Sequence, residues 1–265
     1  MINTFPVRLV VYSDLDGTLL DHDSYDWQPA LPALERLRER HDWLVLASSK
    51  TAAEIMPLRA ELGFEHCPAI VENGAGILPP FDDIEFVDTP RDRILSRLNK
   101  APFSLREKFV GFSQLSRQEI IDRTGLSAKN ASLAAKRNYT EPGTFSGTDE
   151  ELEQFLQFLG KAGIQARRGG RFLTLSEGHN KSQCMAEIAR KYPLIREAQV
   201  IALGDAPNDY EMLGSAHRGF LIPNPGSGDV AEMIAELPDT VSIADTPGPA
   251  GWNACVLSVI QELEN

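Results

Sequence analysis

Apolar residues along this chain fall into short continuous runs, each closed by polar or turn-forming residues. Leu9-Val10-Val11-Tyr12, Trp43-Leu44-Val45-Leu46-Ala47, Ala69-Ile70-Val71, Gln199-Val200-Ile201-Ala202-Leu203 and Gly219-Phe220-Leu221-Ile222 are of this kind, with a shorter one at Val241-Ser242-Ile243. Bounded apolar runs suit strands buried on both faces, as in a parallel sheet. Between them, residues 32–40, 52–61, 181–191 and 210–213 and the closing stretch to about 263 carry helical patterns. Strands alternating with helices predict a doubly wound, Rossmann-like α/β core.

The pattern changes in the middle. From about residue 83 to 177 there are helices without long buried strands between them. Ser116-Arg117-Gln118-Glu119 and Thr148-Asp149-Glu150-Glu151 are capping boxes, each opening a helix. The second helix carries Leu152, Phe155, Leu156 and Leu159 as an apolar stripe for packing. Two strands follow, at 164–166 and 172–175, with Gly169-Gly170 as the turn. The expected organisation is a core of residues 1–82 and 178–265 interrupted by an α+β insertion, 83–177, with its own small core.

Composition narrows the classes. Of 265 residues, 42% are hydrophobic and 24% charged, ordinary for a water-soluble globular chain. No run approaches the roughly 18 apolar residues of a membrane span, and residues 1–8 do not read as a signal peptide. Cys67, Cys184 and Cys255 have no metal-ligand spacing and read as free thiols in a reducing cytoplasm. A net charge of −12 argues against nucleic acid as partner, because phosphate backbones need basic stripes. It leaves room for a small anionic substrate, since local cations outweigh the overall field.

The chemistry gathers where strands end. Asp14 and Asp16 follow the first strand, two residues apart, so their side chains lean the same way and need a cation between them. Gly17 frees the backbone to turn, and the Thr18 hydroxyl is placed to fix that turn. Ser48 ends the second strand ahead of a helix start, where it is either a phosphate seat or the helix cap. Lys181 opens a helix, against the sense of the helix dipole. Gly204-Asp205-Ala206-Pro207-Asn208-Asp209 ends another strand in three metal-type polar groups. Each feature alone has a bland reading as acidic turn, cap, surface lysine or loop. His22 among Asp21, Asp23 and Asp26 is better read as a solvated loop than a metal site. In doubly wound sheets, however, ligands bind beyond the carboxyl ends of strands, and all four clusters fall at such ends or at adjoining helix starts.

Asp14-Leu15-Asp16-Gly17-Thr18, Ser48, Lys181 and Gly204-Asp205-x-x-Asn208-Asp209 resemble, in order, the four motifs of the haloacid dehalogenase (HAD) superfamily of phosphohydrolases. The insertion lies where the Cof-type branch carries its type-two, B-subclass cap domain. Ser48-Ser49-Lys50-Thr51 replaces the usual Thr-Gly-Arg and is similar to mannosyl-3-phosphoglycerate phosphatases. So are Glu72-Asn73-Gly74, Thr124-Gly125-Leu126, Arg137-x-Tyr139-x-Glu141-Pro142, Gly169-Gly170-Arg171-Phe172 and Gly248-Pro249-x-Gly251-Trp252. Ala206-Pro207 departs from that family's common Gly-Pro.

The resemblance implies a cytoplasmic phosphatase that removes phosphate from 2-(mannosyl)-3-phosphoglycerate through an aspartyl-phosphate. Asp14 would be nucleophile and Asp16 general acid/base. Mg²⁺ would be held by Asp14, Asp16 (through its carbonyl) and Asp205, with Asn208 and Asp209 behind them. Ser48 and Lys181 would hold phosphoryl oxygens, and Lys50, Asn73, Arg137 and Arg171 would contact a substrate that also bears a carboxylate. The expected partner is thus a small phosphorylated sugar, not nucleic acid or membrane, and the expected state is monomer or homodimer. Open alternatives are an enzyme for glucosyl-3-phosphoglycerate, sucrose phosphate or sugar phosphates generally, a phosphomannomutase-like enzyme, and a non-catalytic phosphosugar-binding protein.

Overall fold

The computed structural model describes residues 8–82, 87–169, 171–224 and 237–265. Residues 1–7, the residue-83 boundary and Gly170 of the expected turn lie outside them. The chain divides into two compact units: 1–49, 57–82 and 180–265 form one, and 50–56 with 83–179 form the other. The first unit is the Rossmann-like core and the second the cap. Lys50–Met56, expected on the core, falls instead with the second unit.

In the first unit, β1 (Leu9–Ser13) lies one strand in from the edge of a five-stranded parallel sheet. β2 (Trp43–Leu46) pairs on one side and β9 (Gln199–Gly204) on the other. β10 (Arg218–Leu221) and β11 (Val241–Ile243) continue outward beyond β9. β1, β2 and most of β9 and β10 are buried, which is why they read as continuous apolar runs. The chain moves from β1 to β2 on one side and resumes at β9 on the other, so strand order reverses at β1. Such a switch point opens a crevice at the strand ends. α1 (Leu31–Arg40) makes the β1–β2 crossover and packs on α10 (Gly248–Glu264). β3 (Ala69–Val71) and β4 (Gly76–Leu78) form a small hairpin. No helix among the described residues is long and apolar enough to cross a membrane.

The second unit holds a four-stranded antiparallel sheet. Its strands, in chain order, are β5 (Phe109–Gly111), β6 (Glu141–Phe145), β7 (Gln165–Gly169) and β8 (Phe172–Ser176), laid out as β5-β6-β8-β7. On one face Leu173 and Leu175 pack with Ile94 and Leu98 of α3 (Pro90–Leu98) and with Phe155 and Leu159 of α7 (Asp149–Lys161). Phe172 alternates to the other face and meets Phe112, Ile120 of α5 (Arg117–Thr124) and Ala131 of α6 (Ala128–Ala134). Both capping boxes form as expected. Leu156 is not part of the α7 core stripe: it is 38% exposed.

Candidate active site

The register of the sheet sets three polar clusters level. Ser13 stands opposite Leu46 on β2 and Leu203 on β9, so Asp14, Ala47 and Gly204 follow at one edge. The Asp14 N–H donates to the Leu203 carbonyl at 2.9 Å, carrying the ladder one residue beyond the strand. The chain then folds sharply at Gly17, where φ is +80° and an added Cβ would run into the Asn224 and Asp205 side chains. Glycine serves there both for its left-handed backbone and for the close approach.

Lys181 opens α8 (Lys181–Lys191), whose cap is the Asn180 side chain, accepting from the Gln183 N–H. The lysine is 2% exposed, and its Nζ donates to Asp14 Oδ1 and to Asp209 Oδ1, each at 2.6 Å. Its awkward place in the helix dipole is explained by these two partners. Burial alone would lower the Lys181 pKa, but the two carboxylates outweigh it and hold the ammonium form above its usual range. Burial pushes the Asp14 carboxyl above the normal carboxylate range; Lys181 pulls it back, and Asp209 and Asp205 push it up again.

Asp209 is fully buried and does two jobs at once. Its Oδ2 accepts the N–H groups of Asp205 and Ala206 at 3.2 and 3.3 Å, while Oδ1 takes Lys181. Asp205 is held by Asn224, whose Nδ2 donates to Oδ2 at 2.6 Å, and by Thr18, whose hydroxyl donates to Oδ1 at 3.2 Å. The Thr18 hydroxyl, expected to fix its own turn, thus reaches across to the second acidic loop.

Asp14, Asp205 and Asp209 each offer a carboxylate oxygen within 4.8 Å of the others. Three carboxylates facing one ammonium leave this buried cluster with excess negative charge. Hard oxygen donors so placed fit a hard divalent cation. Asp14, Asp16, Asp205 and Asn208 line a cleft of about 190 Å³ with His22, Ser49, Ala206 and Asn224.

Ser48 is 1% exposed, and the next residue, Ser49, is the one that lines the cleft. Its N–H donates to the Ile70 carbonyl at 3.0 Å, and its carbonyl accepts the Asn73 N–H at 2.9 Å. It is not the helix cap. The hydroxyl of Thr51 accepts the Glu54 N–H at 3.3 Å, while Glu54 accepts the Thr51 N–H at 2.8 Å, closing a capping box at the start of α2 (Ala52–Leu62). The Glu72-Asn73-Gly74 turn is wound left-handed at all three residues, with φ of 51°, 58° and 89°. Gly74 lets it lie against the Asn180–Lys181 backbone, where a Cβ has no room. The turn therefore ties Ser48 to the helix that carries Lys181. Asn208 Nδ2 approaches Asn73 Oδ1 at 3.5 Å.

Lys50, Arg137 and Arg171 belong to the second unit. Arg137 Nε donates to Thr140 Oγ1 at 2.8 Å, and Arg171 donates to the Arg123 carbonyl. The side chains that sequence reasoning left out of the site are Asn224, Thr18 as an Asp205 partner, and Ser13. Asn224 had one signal: it stands just past a strand end on the same sheet edge.

A parallel sheet with its acidic loops at the switch point, and a buried lysine bonded to two of their carboxylates, defines a class of hydrolase. The family model for haloacid dehalogenase-like hydrolases matches residues 11–98 and 114–232, and the chain belongs to that family. Among characterised relatives it is 31% identical to a glucosyl-3-phosphoglycerate/mannosyl-3-phosphoglycerate phosphatase of Methanococcoides burtonii, an alignment spanning 98% of this chain and 100% of the relative. Among solved structures it resembles a haloacid dehalogenase-like hydrolase from Bacteroides thetaiotaomicron (TM-score 0.67, 18% identity, 96% of this chain and 99% of that one). It also resembles the sucrose-phosphatase of Synechocystis, solved with sucrose and phosphate (TM-score 0.62, 15% identity, 97% and 98%). At these identities the two structures bear on the fold alone.

Proposed function

We propose that the chain is a Mg²⁺-dependent phosphatase that hydrolyses a phosphorylated sugar-glycerate, 2-(mannosyl)-3-phosphoglycerate first of all, to mannosylglycerate and phosphate. The observation that carries the chemistry is the ammonium of Lys181 seated between Asp14 and Asp209 beside the Asp205 carboxylate. The substrate is supported by the 31% identical phosphatase and by motifs that run through both units.

Phosphate monoesters hydrolyse extremely slowly unaided, and a carboxylate nucleophile divides the task into two easier steps. Asp14 attacks phosphorus, forming the Asp14 Oδ–P bond as the ester P–O bond breaks. Asp16 gives its proton to the departing alkoxide. In the second step Asp16 takes a proton from water, which attacks the same phosphorus and frees Asp14 and inorganic phosphate. Lys181 favours the ionised form of Asp14 against its burial, and with Ser48 it supports the phosphoryl oxygens. Asp209 works from beneath, fixing Lys181 and the Asp205 loop. Magnesium held by Asp14, Asp205 and the Asp16 carbonyl would neutralise the meeting anions; Asn208 and Asp209 would stand behind it. Lys50, Asn73, Arg137 and Arg171 are the proposed contacts to the rest of the substrate, the arginines suited to its carboxylate.

A panel of esters tests this: mannosyl- and glucosyl-3-phosphoglycerate, sucrose phosphate and para-nitrophenyl phosphate, each with Mg²⁺ and with EDTA. The expected outcome is the highest kcat/KM on a sugar-3-phosphoglycerate and no phosphate release in EDTA. Equal kcat/KM on all four would reject the substrate, and an isomerised sugar phosphate without free phosphate would make the enzyme a mutase.

A further inference from the structure

We propose that Trp252 and Ser13 form a brace that sets the direction in which Asp14 presents its carboxylate. The inference rests on Asp14 being the nucleophile. Ser13 is the last residue of β1 and is fully buried. Its hydroxyl donates to the Asp14 carbonyl at 2.6 Å and accepts the indole N–H of Trp252 at 2.9 Å. Trp252, in the first turns of α10, is also fully buried. A buried indole N–H needs an acceptor, and a serine hydroxyl can donate once while accepting, so the Trp252–Ser13–Asp14 chain is satisfied at each link.

Its consequence falls on the nucleophile's main chain. The Asp14 N–H is already fixed on the Leu203 carbonyl at 2.9 Å. With its carbonyl fixed by Ser13, both backbone polar groups of Asp14 are pinned, one on each side of Cα. Side chains alternate along a strand, so Ser13 points to the opposite face of the sheet from Asp14. The brace therefore acts through the backbone and leaves the carboxylate to Lys181. It also places Gly248-Pro249-x-Gly251-Trp252, a motif the catalytic steps leave unused, behind the nucleophile. Trp252 and Ser13 are thus positioning residues, touching neither substrate nor metal.

The test uses the full chain with para-nitrophenyl phosphate and Mg²⁺, so it does not depend on the natural substrate. Ser13→Ala removes both hydrogen bonds, and Trp252→Phe keeps a ring in place while removing the donor. The expected result is a kcat about tenfold lower in Ser13→Ala, as misplaced reacting groups produce, with KM within about twofold of wild type. Trp252→Phe should lose several-fold in kcat. The double variant should be no worse than Ser13→Ala alone, because the two residues act in series. Unchanged kcat in Ser13→Ala, or losses that multiply and follow the fall in Tm, would overturn the brace while leaving the phosphatase reading intact. A wild-type enzyme that releases no phosphate from any ester would overturn both.

Discussion

A cluster in the core and an ion pair in the cap use their charged residues in opposite ways. In the core, Asp14, Lys181, Asp205 and Asp209 are all buried at the end of one sheet, three carboxylates to one ammonium. In the cap, an ion pair on the buried Glu141 is complete in itself. Arg91 Nε donates to Glu141 Oε2 at 2.6 Å, and Glu141 Oε1 accepts the Ser113 N–H at 2.8 Å and its hydroxyl at 2.6 Å. A satisfied pair fixes a fold; an unbalanced cluster is where a cation and a phosphoryl group have something to add. Under the proposed function, the chemistry falls to the core and selectivity to the cap.

Substitutions can break that contrast in graded fashion. Asp14→Asn should have the largest effect, about 10⁴-fold or more on kcat, consistent with removal of a covalent nucleophile. Its Tm should match or exceed wild type, because the buried cluster then carries one carboxylate fewer while Lys181 keeps Asp209. Lys181→Met comes next. It leaves Asp14 and Asp209 without their shared cation and should cost about 3–5 kcal/mol in denaturant unfolding, with kcat about 10²–10³-fold lower.

Asn224→Ala should act more narrowly. Titration with Mg²⁺ should show an affinity about 10–100-fold weaker, as expected on losing the group that orients a ligand, with kcat at saturating metal close to wild type. Arg171→Ala should be the mildest: KM for the sugar-3-phosphoglycerate rises about tenfold, the value of one charge-assisted hydrogen bond, while para-nitrophenyl phosphate kinetics stay unchanged. An equal effect on both esters would place Arg171 in the fold of the cap and not in selectivity.

The same contrast explains what the sequence discloses. The core strands are legible because burial on both faces makes them continuous apolar runs, and the acidic loops follow directly from their ends. Two cap strands are not. Phe109-Val110-Gly111 has three residues, and β6 carries Pro142 and Gly143, which argue against a strand. Pro142 is tolerated because the β5 ladder stops at Gly143, leaving it paired only with Thr174 on β8. Within the site, the acidic residues stand in local motifs, but their supports do not. Thr18 reaches Asp205 across 187 residues of sequence and Trp252 reaches Ser13 across 239, and no local pattern encodes either meeting. The Thr51 cap was hidden for a different reason: Ser48, Ser49 and Thr51 all carry the right hydroxyl, and only the helix start chooses among them.

The claim that Asp14 itself carries the phosphoryl group is the most direct to test. Enzyme mixed with Mg²⁺ and a sugar-3-phosphoglycerate, quenched in acid within a single turnover and digested, should yield the peptide containing Asp14 heavier by one phosphoryl group. The modification should be removed by hydroxylamine and be absent from Asp14→Asn. Phosphate release with no phosphorylated Asp14 peptide at any quench time, together with full turnover by Asp14→Asn, would contradict the account.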